Sequence, residues 1–328
     1  NNLKVLIKSP KIISNSLIGV NDRDRIPKVY LDIKFKNYRK LLEDRIRFIK
    51  ENLGYDFTEV KGKISFQGKK MNCKVRLKGD LSEHWRSEKR MSFRIGLKGD
   101  NSIMSFKRFS IQKPSSRQHP YDQTFQDLQK ELGNLSSSHN YINLIVNGED
   151  WGVMNIEEHM SKEFLEKQRR KESIIFKLGD ERDWLYNRKT NFNSIKSYRL
   201  SDDYLNIKVY QEGKYLQDSI YRKYYSYISN DILKGGNEIF NKDSFTKSLI
   251  LSLVWNSTHS IGASNSRYYF NPYDLKIYPI TADQSNLTSF NNQLGIPKPY
   301  EKIVNDSSFQ NSYQINSIKV KKSLNESQ

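Results

Sequence analysis

Apolar and polar residues alternate through several segments of the first half of the chain, which predicts β-strands with one buried face. "KVLIK" and "KVYLDIKF", both within residues 1–36, repeat with a period of two. "KISFQ" and "NCKVRL" flank the short segment "GKK", and this order of strand, turn and strand predicts a hairpin. In "RMSFRIGLKG" the residues Met91, Phe93 and Ile95 occupy every second position. Residues 61–98 are therefore expected to form the clearest β region.

A helical repeat replaces this alternation in other segments. In "YRKLLEDRIRFIKENLG" the apolar residues fall on one face of a helix, which Gly54 is expected to end. "TFQDLQKELG" predicts a short helix that ends at Gly133. Within residues 206–254, "LQDSIYRKYYSYISNDIL" and "DSFTKSLILSLVW" predict two more helices. The second is apolar on nearly every side, as in a buried helix.

Further strands are expected in the second half of the β-rich region and near the end of the chain. "YINLIVNGEDWGVMNIEEH" has Asn147-Gly148 at its centre, a strong signal for a hairpin, and a helix is expected from about Ser161 to Lys171. "SIIFKL" predicts a single strand. "RYYF", "NPYD" and "LKIYPI" predict a second hairpin directly before Asp283.

The order of these elements, β-rich first and helix-rich later, predicts an α+β fold rather than a repeated βαβ array. One domain is expected over residues 1–290, with a β-rich part over 1–178 and a helical part over 179–290. Residues 291–328 are polar and predict a loose or truncated tail.

Composition narrows the class of protein only a little. Hydrophobic residues make up 36% and aromatic residues 12%, which suits a compact fold rather than a disordered chain. The formal net charge of +18 fits an anionic partner, but a genome biased toward lysine explains it equally well. The single cysteine, Cys73, excludes an internal disulfide. The chain contains no apolar run long enough to span a membrane and no apolar segment typical of a signal peptide, and its compartment stays undetermined.

The common catalytic motifs of hydrolases, dehydrogenases and typical protein kinases are missing from the sequence. Gly62 and Gly68 have the wrong spacing for a phosphate-binding loop, and the strands expected on both sides predict a hairpin turn there instead. Four polar segments remain. They supply cations near residues 76–90, paired acids at 157–158, Lys177 after an apolar strand, and a late group of Asn, His and Asp residues. Phosphoryl transfer requires such an inventory: cations for phosphates, an acid that positions them, and Asn and Asp for a metal ion.

The chain also resembles a known family over about residues 60–285. The series "RLKGD…HW…KR-SFRI…RFSIQKP…YINLIVNGEDWGVMNIEEH…FLE…IFK", followed by "N…H…N.RYYFNP…YPI..D", is similar to the CotH-type atypical protein kinases, named after a bacterial spore-coat protein. The resemblance implies a two-lobed, highly diverged kinase-like fold with a β-rich nucleotide-binding part. It also implies ATP and Mg²⁺ or Mn²⁺ as cofactors, Ser or Thr of a protein as acceptor, and a secreted or cell-surface location.

Residue by residue, the resemblance places the nucleotide-binding lysine of the family at Arg90, or at Lys89 if the alignment shifts by one position. Arg76 and Lys177 are further candidate phosphate ligands, and Glu158 is the candidate acid that orients them. Arginine keeps its charge and binds phosphate with two parallel donors, so the substitution preserves a cation. Asp80 in "KGD" is interpreted as a turn residue.

The late polar group departs from the family pattern. Asn265 and Asp283 keep oxygen donors that suit a divalent metal. The position of the catalytic Asp, however, holds Ser257, whereas His259 is retained as a candidate base.

Two functions from different classes therefore stay open. The first is an active kinase for a protein or another hydroxyl-bearing acceptor, acidic or not. The second is a catalytically weak or inactive pseudokinase that binds nucleotide or assembles a surface. Nucleic-acid binding is a weaker third hypothesis, because the basic residues are spread along the chain.

Overall fold

The computed structural model describes residues 26–178, 207–234, 236–262, 265–284 and 298–326. The predicted strand "KVLIK" lies outside these residues. The chain divides into two compact units. Among the described residues, the first unit extends to Gln123 and includes Ser137–Phe164, while the second comprises Thr124–Ser136 and the residues from Leu165 onward. The fold is a mixture of α-helices and β-sheets, in agreement with the general class that the sequence predicts.

The first unit is built around a closed barrel, which the sequence pattern does not predict. Its strands follow the order β1-β2-β3-β4-β5-β8-β7, and β1 and β7 close the barrel as a parallel pair. The bounds of its strands and its helix are β1 (Lys28–Asp32), α1 (Phe35–Glu51), β2 (Val60–Phe66), β3 (Lys69–Leu77), β4 (Phe93–Leu97), β5 (Arg108–Gln112), β7 (His139–Val146) and β8 (Glu149–Glu158).

Alternation along each strand places one set of apolar residues in the core of the first unit. On β3 the buried residues are Met71, Cys73, Val75 and Leu77, which alternate with exposed or half-buried polar residues. Helix α1 contributes Leu41 and Phe48 to the same core. Its C-terminal cap is the left-handed residue Asn52, two positions before the predicted stop at Gly54.

The predicted hairpins of the first unit are confirmed. Strands β2 and β3 pair in antiparallel register around Gln67 and Gly68, so the near match to a phosphate loop is a turn. Strands β7 and β8 pair around Asn147 and Gly148, which both have positive φ angles, as a tight two-residue hairpin turn requires.

The second unit contains a five-stranded sheet in the order β10-β9-β11-β12-β6. Its elements are β6 (Leu135–Ser136), β9 (Ile175–Leu178), β10 (Ile207–Val209), α4 (Glu212–Tyr215), α5 (Ser219–Leu233), α6 (Lys242–Val254), β11 (Arg267–Asn271), β12 (Lys276–Thr281), α7 (Lys298–Val304) and α8 (Ser307–Glu326). Two further helices, α2 (Tyr121–Glu131) and α3 (Lys162–Lys167), span the points where the chain passes from one unit to the other.

The predicted buried helix in "DSFTKSLILSLVW" is confirmed as α6. Asn241 caps its start by accepting a hydrogen bond from the backbone N–H of Ser244 at 3.0 Å. The helix buries residues on every side, including Phe245, Leu249 and Leu251. The predicted hairpin β11–β12 is also confirmed by its antiparallel register.

The C-terminal region differs from the loose tail that its polar composition predicts. From residue 298 onward it forms α7 and α8, and it buries Tyr300, Ile303 and Phe309 in the core of the second unit. Asn316 of α8 is also buried, and its amide donates to Asp243 Oδ1 at 2.9 Å and to Thr246 Oγ1 at 2.7 Å. A few widely spaced apolar residues are therefore enough to fix these helices. No helix within the described ranges has the length and apolarity that crossing a bilayer would require.

Candidate functional site

A buried ion pair lies on the side of the barrel wall that faces away from the core of the first unit. Lys78 directly follows β3, and its Nζ lies 3.1 Å from Glu157 Oε2 on β8. The same ammonium donates to Gln112 Oε1 of β5 at 2.6 Å. The side chains of Lys78 and Glu157 are only 9% and 8% exposed, so water contributes little to the solvation of either charge.

A second cation completes the neutralisation of Glu157. Arg117 lies in a short 3₁₀ helix after β5, and its Nε donates to Glu157 Oε2 at 3.0 Å. Gln112 Nε2 donates to the same carboxylate oxygen at 2.7 Å. One carboxylate thus receives two cations and one amide. We call Lys78, Gln112, Arg117 and Glu157 the buried cluster.

The electrostatics of the buried cluster keep Glu157 ionised. Burial alone would raise the pKa of this carboxyl group, but the charges of Arg117 and Lys78 hold the pKa well below its ordinary value. The four side chains of the cluster sum to one positive charge, and the buried carboxylate of Asp122, 3.8 Å from Arg117, lies beside them.

Adjacent strands extend the polar face around the buried cluster. His139 of β7 is the register partner of Glu157, and Asn155 of β8 is the partner of Gln112. His139 Nε2 lies 3.7 Å from Asp122 Oδ2, and Arg117 Nε lies 3.8 Å from the same oxygen.

A tight turn holds the residues that follow Lys78. Gly79 has a φ angle of +93°, and a Cβ atom at this position would lie 2.0 Å from Cδ2 of His84. The imidazole of His84 is buried and shares a hydrogen bond of 2.9 Å with Ser92 Oγ. Burial, together with the nearby charges of Lys78 and Arg117, lowers the pKa of His84 to about 2. A neutral histidine therefore packs directly against the turn that positions Lys78.

Among the predicted phosphate ligands of the first unit, Glu158 lies next to the buried cluster in sequence but on the opposite face of β8. Alternation along the strand puts Glu158 on the side of Met154 and Ile156, which belong to the core. Glu158 is buried, and its backbone N–H donates to Ser138 O at 2.8 Å. Arg76 lies near the end of β3, with its guanidinium 4.7 Å from the centre of the Phe57 ring.

The other two predicted cations of this unit contact the first half of β8. Lys89 is exposed and forms an ion pair with Glu149. Arg90 has a positive φ angle, and its Nη2 donates to Val153 O at 2.7 Å. Val153 and Glu158 are separated by about 16 Å along an extended strand. Arg90 and Glu158 therefore do not form one contact group.

In the second unit, the loop after α6 is bound to the segment after β12. Ser257 Oγ donates to Gln284 Oε1 at 3.2 Å, and Gln284 Nε2 donates back to Ser257 O at 3.0 Å. The backbone N–H of Ser260 donates to the same Gln284 oxygen at 3.3 Å. Ser257 and Gln284 are both buried. The hairpin between them thus returns the chain to its starting point and places Asp283 beside the loop.

His259 and Asn265 contact each other within this loop. Asn265 Nδ2 lies 3.0 Å from His259 Nε2 and donates to His259 O at 3.1 Å. His259 is exposed and begins a short 3₁₀ helix. The side-chain nitrogen of Asn265 contacts His259, so the side-chain carbonyl oxygen is the atom of Asn265 that can bind a metal. We call Ser257, His259, Asn265, Asp283 and Gln284 the polar loop.

The fit of a divalent metal to the polar loop can be judged from its donor set. Mg²⁺ commonly binds one or two protein oxygens together with substrate phosphates, and Asn265 and Asp283 supply an amide and a carboxylate oxygen. Asp283 is half-buried with a φ angle of 62°. Among the described residues, no group of three His, Cys, Asp or Glu side chains is placed to hold a metal without such phosphates.

Lys177 lies on β9 of the same sheet. It faces away from Phe176 and Leu178, which belong to the core of the second unit, and it is the register partner of Lys208 on β10. Strand β9 pairs with β11, which starts two residues after Asn265.

Sequence reasoning missed the buried cluster. It identified the pair at 157–158 but selected Glu158, and it did not select Lys78, Gln112 or Arg117. Alternation along the strand could have identified Glu157. Met154 and Ile156 share a face with Glu158, which leaves Glu157 on the polar face of β8.

Comparison with known proteins identifies the family of this chain. The family model described as CotH kinase protein matches residues 75–293, which include both the buried cluster and the polar loop. The chain therefore belongs to the CotH kinase family. A comparison with curated proteins found no match.

Proposed function

We propose that this protein transfers a phosphoryl group from ATP to a hydroxyl group, most simply that of Ser or Thr in a protein, with the aid of Mg²⁺ or Mn²⁺. In this reaction the hydroxyl oxygen forms a bond to the γ-phosphorus, the bond to the β-γ bridging oxygen breaks, and ADP and a proton leave. The observation that carries the proposal is the Lys78–Glu157 pair, a buried lysine fixed by a carboxylate within the matched family segment. Protein kinases hold their phosphate-binding lysine by a Lys–Glu pair of this type.

The residues of the first unit would hold the phosphates. Lys78 and Arg117 supply the positive charge, and Glu157 fixes both side chains so that little ordering is needed when an anion arrives. Arg90, Lys89 and Arg76 remain alternative phosphate ligands, and Glu158 remains the alternative acid. We assign the kinase-like nucleotide-binding part to the barrel unit.

The residues of the second unit would hold the metal and the acceptor. Asn265 and Asp283 offer the oxygen donors, and the metal, when bound, would neutralise the charge of the phosphates. His259 is exposed next to Asn265, so it can accept a proton from an acceptor hydroxyl. Lys177 would provide a further cation for phosphate.

A second function, nucleotide binding without transfer, is favoured by one observation. Ser257 occupies the position of the catalytic acid in the family, and its hydroxyl is buried and donates to Gln284. Ser257 therefore cannot serve as the base in this arrangement. Catalysis would depend on His259 alone, or it would be absent.

The test of the first unit compares Lys78→Met with Lys74→Met, which removes an exposed lysine four residues earlier. We expect Lys78→Met to weaken binding of Mg-ATP in calorimetry at least about tenfold, because a cation that water screens poorly attracts phosphate more strongly than an exposed one. Lys74→Met should bind like the parent chain. If Lys78→Met binds normally and Arg90→Gln does not, the assignment of the lysine is wrong and Arg90 takes its place.

The test of the second unit compares the two ends of one hairpin. Asp283 follows β12, whereas Asp274 lies in the turn between β11 and β12 and contacts Tyr278 and the backbone of Lys276. We expect Asp283→Asn to lower metal-dependent transfer of labelled γ-phosphate about 100-fold and Asp274→Asn to preserve it. Unchanged transfer in Asp283→Asn would contradict the metal assignment. ATP binding with no transfer in the parent chain would support the binding function instead.

A further inference from the structure

A large part of the barrel wall in the first unit is cationic on its solvent side. Val60, Ile64 and the apolar residues of β3 face the core, so the alternate positions of β2 to β5 face away from it. The cations at these outward positions are Lys61, Lys63, Lys70, Lys74, Arg76, Arg94 and Arg108. We call this set the basic face.

The strand register places like charges directly opposite each other on the basic face. Lys61 is the register partner of Lys74, and Arg76 is the partner of Arg94. Like charges at directly opposite positions of a sheet destabilise it. Any neutral polar residue would serve the sheet better at these positions, so the repeated cations indicate a function outside the fold.

Two acidic residues of the same unit pair with lysines of the basic face. Asp32 on the edge of β1 lies 3.4 Å from Lys70, and Glu59, just before β2, forms an ion pair with Lys74. Lys70 and Lys74 are nevertheless 57% and 55% exposed. Lys61 and Lys63 are exposed, and neither forms an ion pair with any residue that the structure describes.

The basic face is continuous with the buried cluster. Arg76, Arg94, Ser110 and Glu157 are successive register partners on β3, β4, β5 and β8. Neighbouring strands lie about 4.8 Å apart, so this row leads in three steps from the half-buried Arg76 and Arg94, through the buried Ser110, to the Lys78–Glu157 pair. A partner on the exposed lysines of β2 and β3 would therefore lie on the same wall as the proposed phosphate ligands, with the buried positions of β5 between them.

We propose that the basic face is a docking surface for an acidic segment of a protein acceptor. An extended peptide repeats its side chains about every 6.8 Å on each face, which is the spacing of Lys61 and Lys63 on β2 and of Lys74 and Arg76 on β3. Carboxylates at alternate positions would match these cations. The identification of the partner as the acceptor rests on the proposed function. The binding of an acidic segment to the basic face does not depend on that function.

A protein is favoured over a nucleic acid as the partner because of the residue types that lie between the cations. Surfaces that bind single-stranded nucleic acid combine cations with aromatic platforms for the bases. The outward positions of β2 to β5, all within the described residues, carry Ser, Asn, Gly and Gln beside the cations and no aromatic side chain. These strand positions therefore supply charge but no stacking. Of the rings beside them, Phe57 is covered by the Arg76 guanidinium, and Tyr30 of β1 lies at the edge opposite Ser65.

The test uses the full chain and a fluorescent Glu-rich peptide that has no hydroxyl group. The variant Lys61→Gln/Lys63→Gln/Lys74→Gln removes three charges from the basic face. The control Lys36→Gln/Lys40→Gln/Lys50→Gln removes three exposed lysines of α1 and leaves the same net charge. We expect the first variant to bind the peptide about tenfold more weakly and the control to stay within about twofold of the parent chain, because each surface contact is worth a few-fold.

The outcomes separate this inference from the proposed function. Equal affinity of both triple variants, or equal affinity of the parent chain for a Gln-rich peptide of the same length, would overturn the docking surface. A single-stranded oligonucleotide of equal charge that binds more tightly than the peptide would identify a nucleic-acid surface and also overturn it. If the peptide binds as expected but no phosphate is ever transferred, the docking surface stands and the kinase function fails.

Discussion

At the scale of single residues, the main feature of this protein is a carboxylate buried between two cations. Glu157 accepts hydrogen bonds from Lys78, Arg117 and Gln112, and all four side chains are largely shielded from water. Charges in this setting are strongly coupled, because the interior screens them poorly. A buried group of this kind contributes little net stability, but the loss of one partner is costly. Its retention within the barrel wall therefore fits a functional role.

Glu157→Gln provides the corresponding prediction. The substitution keeps the shape of the side chain but removes the carboxylate charge that Lys78 and Arg117 share, which leaves Arg117 with Asp122 at 3.8 Å. We expect the free energy of unfolding to fall by about 3–5 kcal/mol in urea denaturation at pH 7. Glu149→Gln is the control, because its ion pair with Lys89 is exposed and its loss should leave the transition unchanged. A transition of Glu157→Gln that coincides with that of the parent would mean that the cluster is solvated.

His84 gives a prediction about pH. Its folded-state pKa of about 2 lies below the ordinary value of 6.5, so the unfolded chain takes up a proton that the folded chain does not. Stability should therefore fall as the pH decreases below about 6.5, with a limiting slope of about 1.4 kcal/mol per pH unit from this one residue.

His84→Gln should remove that share of the slope between pH 6 and pH 5, as measured by urea denaturation at intervals across this range. Between pH 7 and pH 8 the two chains should respond to pH alike, which serves as the internal control. An unchanged slope below pH 6 would show that the imidazole of His84 is protonated in the folded protein.

At the scale of elements, the turn after β3 decides where Lys78 lies. Gly79 combines a positive φ angle with direct contact to His84, and Gly68 in the β2–β3 turn combines a φ angle of +76° with open space. Substitutions at these two positions therefore distinguish the cost of backbone strain from the cost of steric overlap. Only at Gly79 would an added methyl group force the histidine out of its site.

We expect Gly79→Ala to destabilise the protein by several kcal/mol and Gly68→Ala by about 1 kcal/mol, since only backbone strain acts at the second position. Thermal unfolding followed by circular dichroism measures both. Equal effects of the two substitutions would show that the contact with His84 is easily relaxed.

The sequence predicted individual strands and helices better than it predicted the topology or the site. Strong local signals, such as Asn147-Gly148 between two alternating segments and the apolar residues of α6, predicted the hairpin and the helix that the structure contains. Ends were less well predicted: α3 covers only Lys162–Lys167 of the longer helix expected there. The helices from residue 298 onward were missed because Tyr300, Ile303 and Phe309 are too widely spaced to form a clear repeat.

At the scale of the whole molecule, the closed barrel could not be predicted from the sequence. The barrel closes where β1 pairs in parallel with β7, through partners such as Val29 and Leu144 that are far apart in the sequence. Local periodicity carries no information about such a pairing. For the same reason the buried cluster could not be assembled in advance, because Lys78, Arg117 and Glu157 come from three separate elements. That the loop after α6 meets the segment after β12 was easier to predict, since a hairpin joins them.

The net charge of +18 is a property of the whole molecule, and it predicts an unusual response to salt. Repulsion among excess cations destabilises a compact state, and dissolved ions screen repulsion between exposed groups more effectively than they screen the buried cluster. Raising NaCl from low to physiological concentration at pH 7 should therefore raise the melting temperature.

At a pH near the pI of about 9.6 the excess charge is gone, so the same addition of salt should have little effect. Calorimetric scans at both pH values measure the difference. A melting temperature that falls with salt at pH 7 would mean that surface ion pairs such as Lys70–Asp32 outweigh the overall repulsion, and that the basic face is less strained than its register indicates.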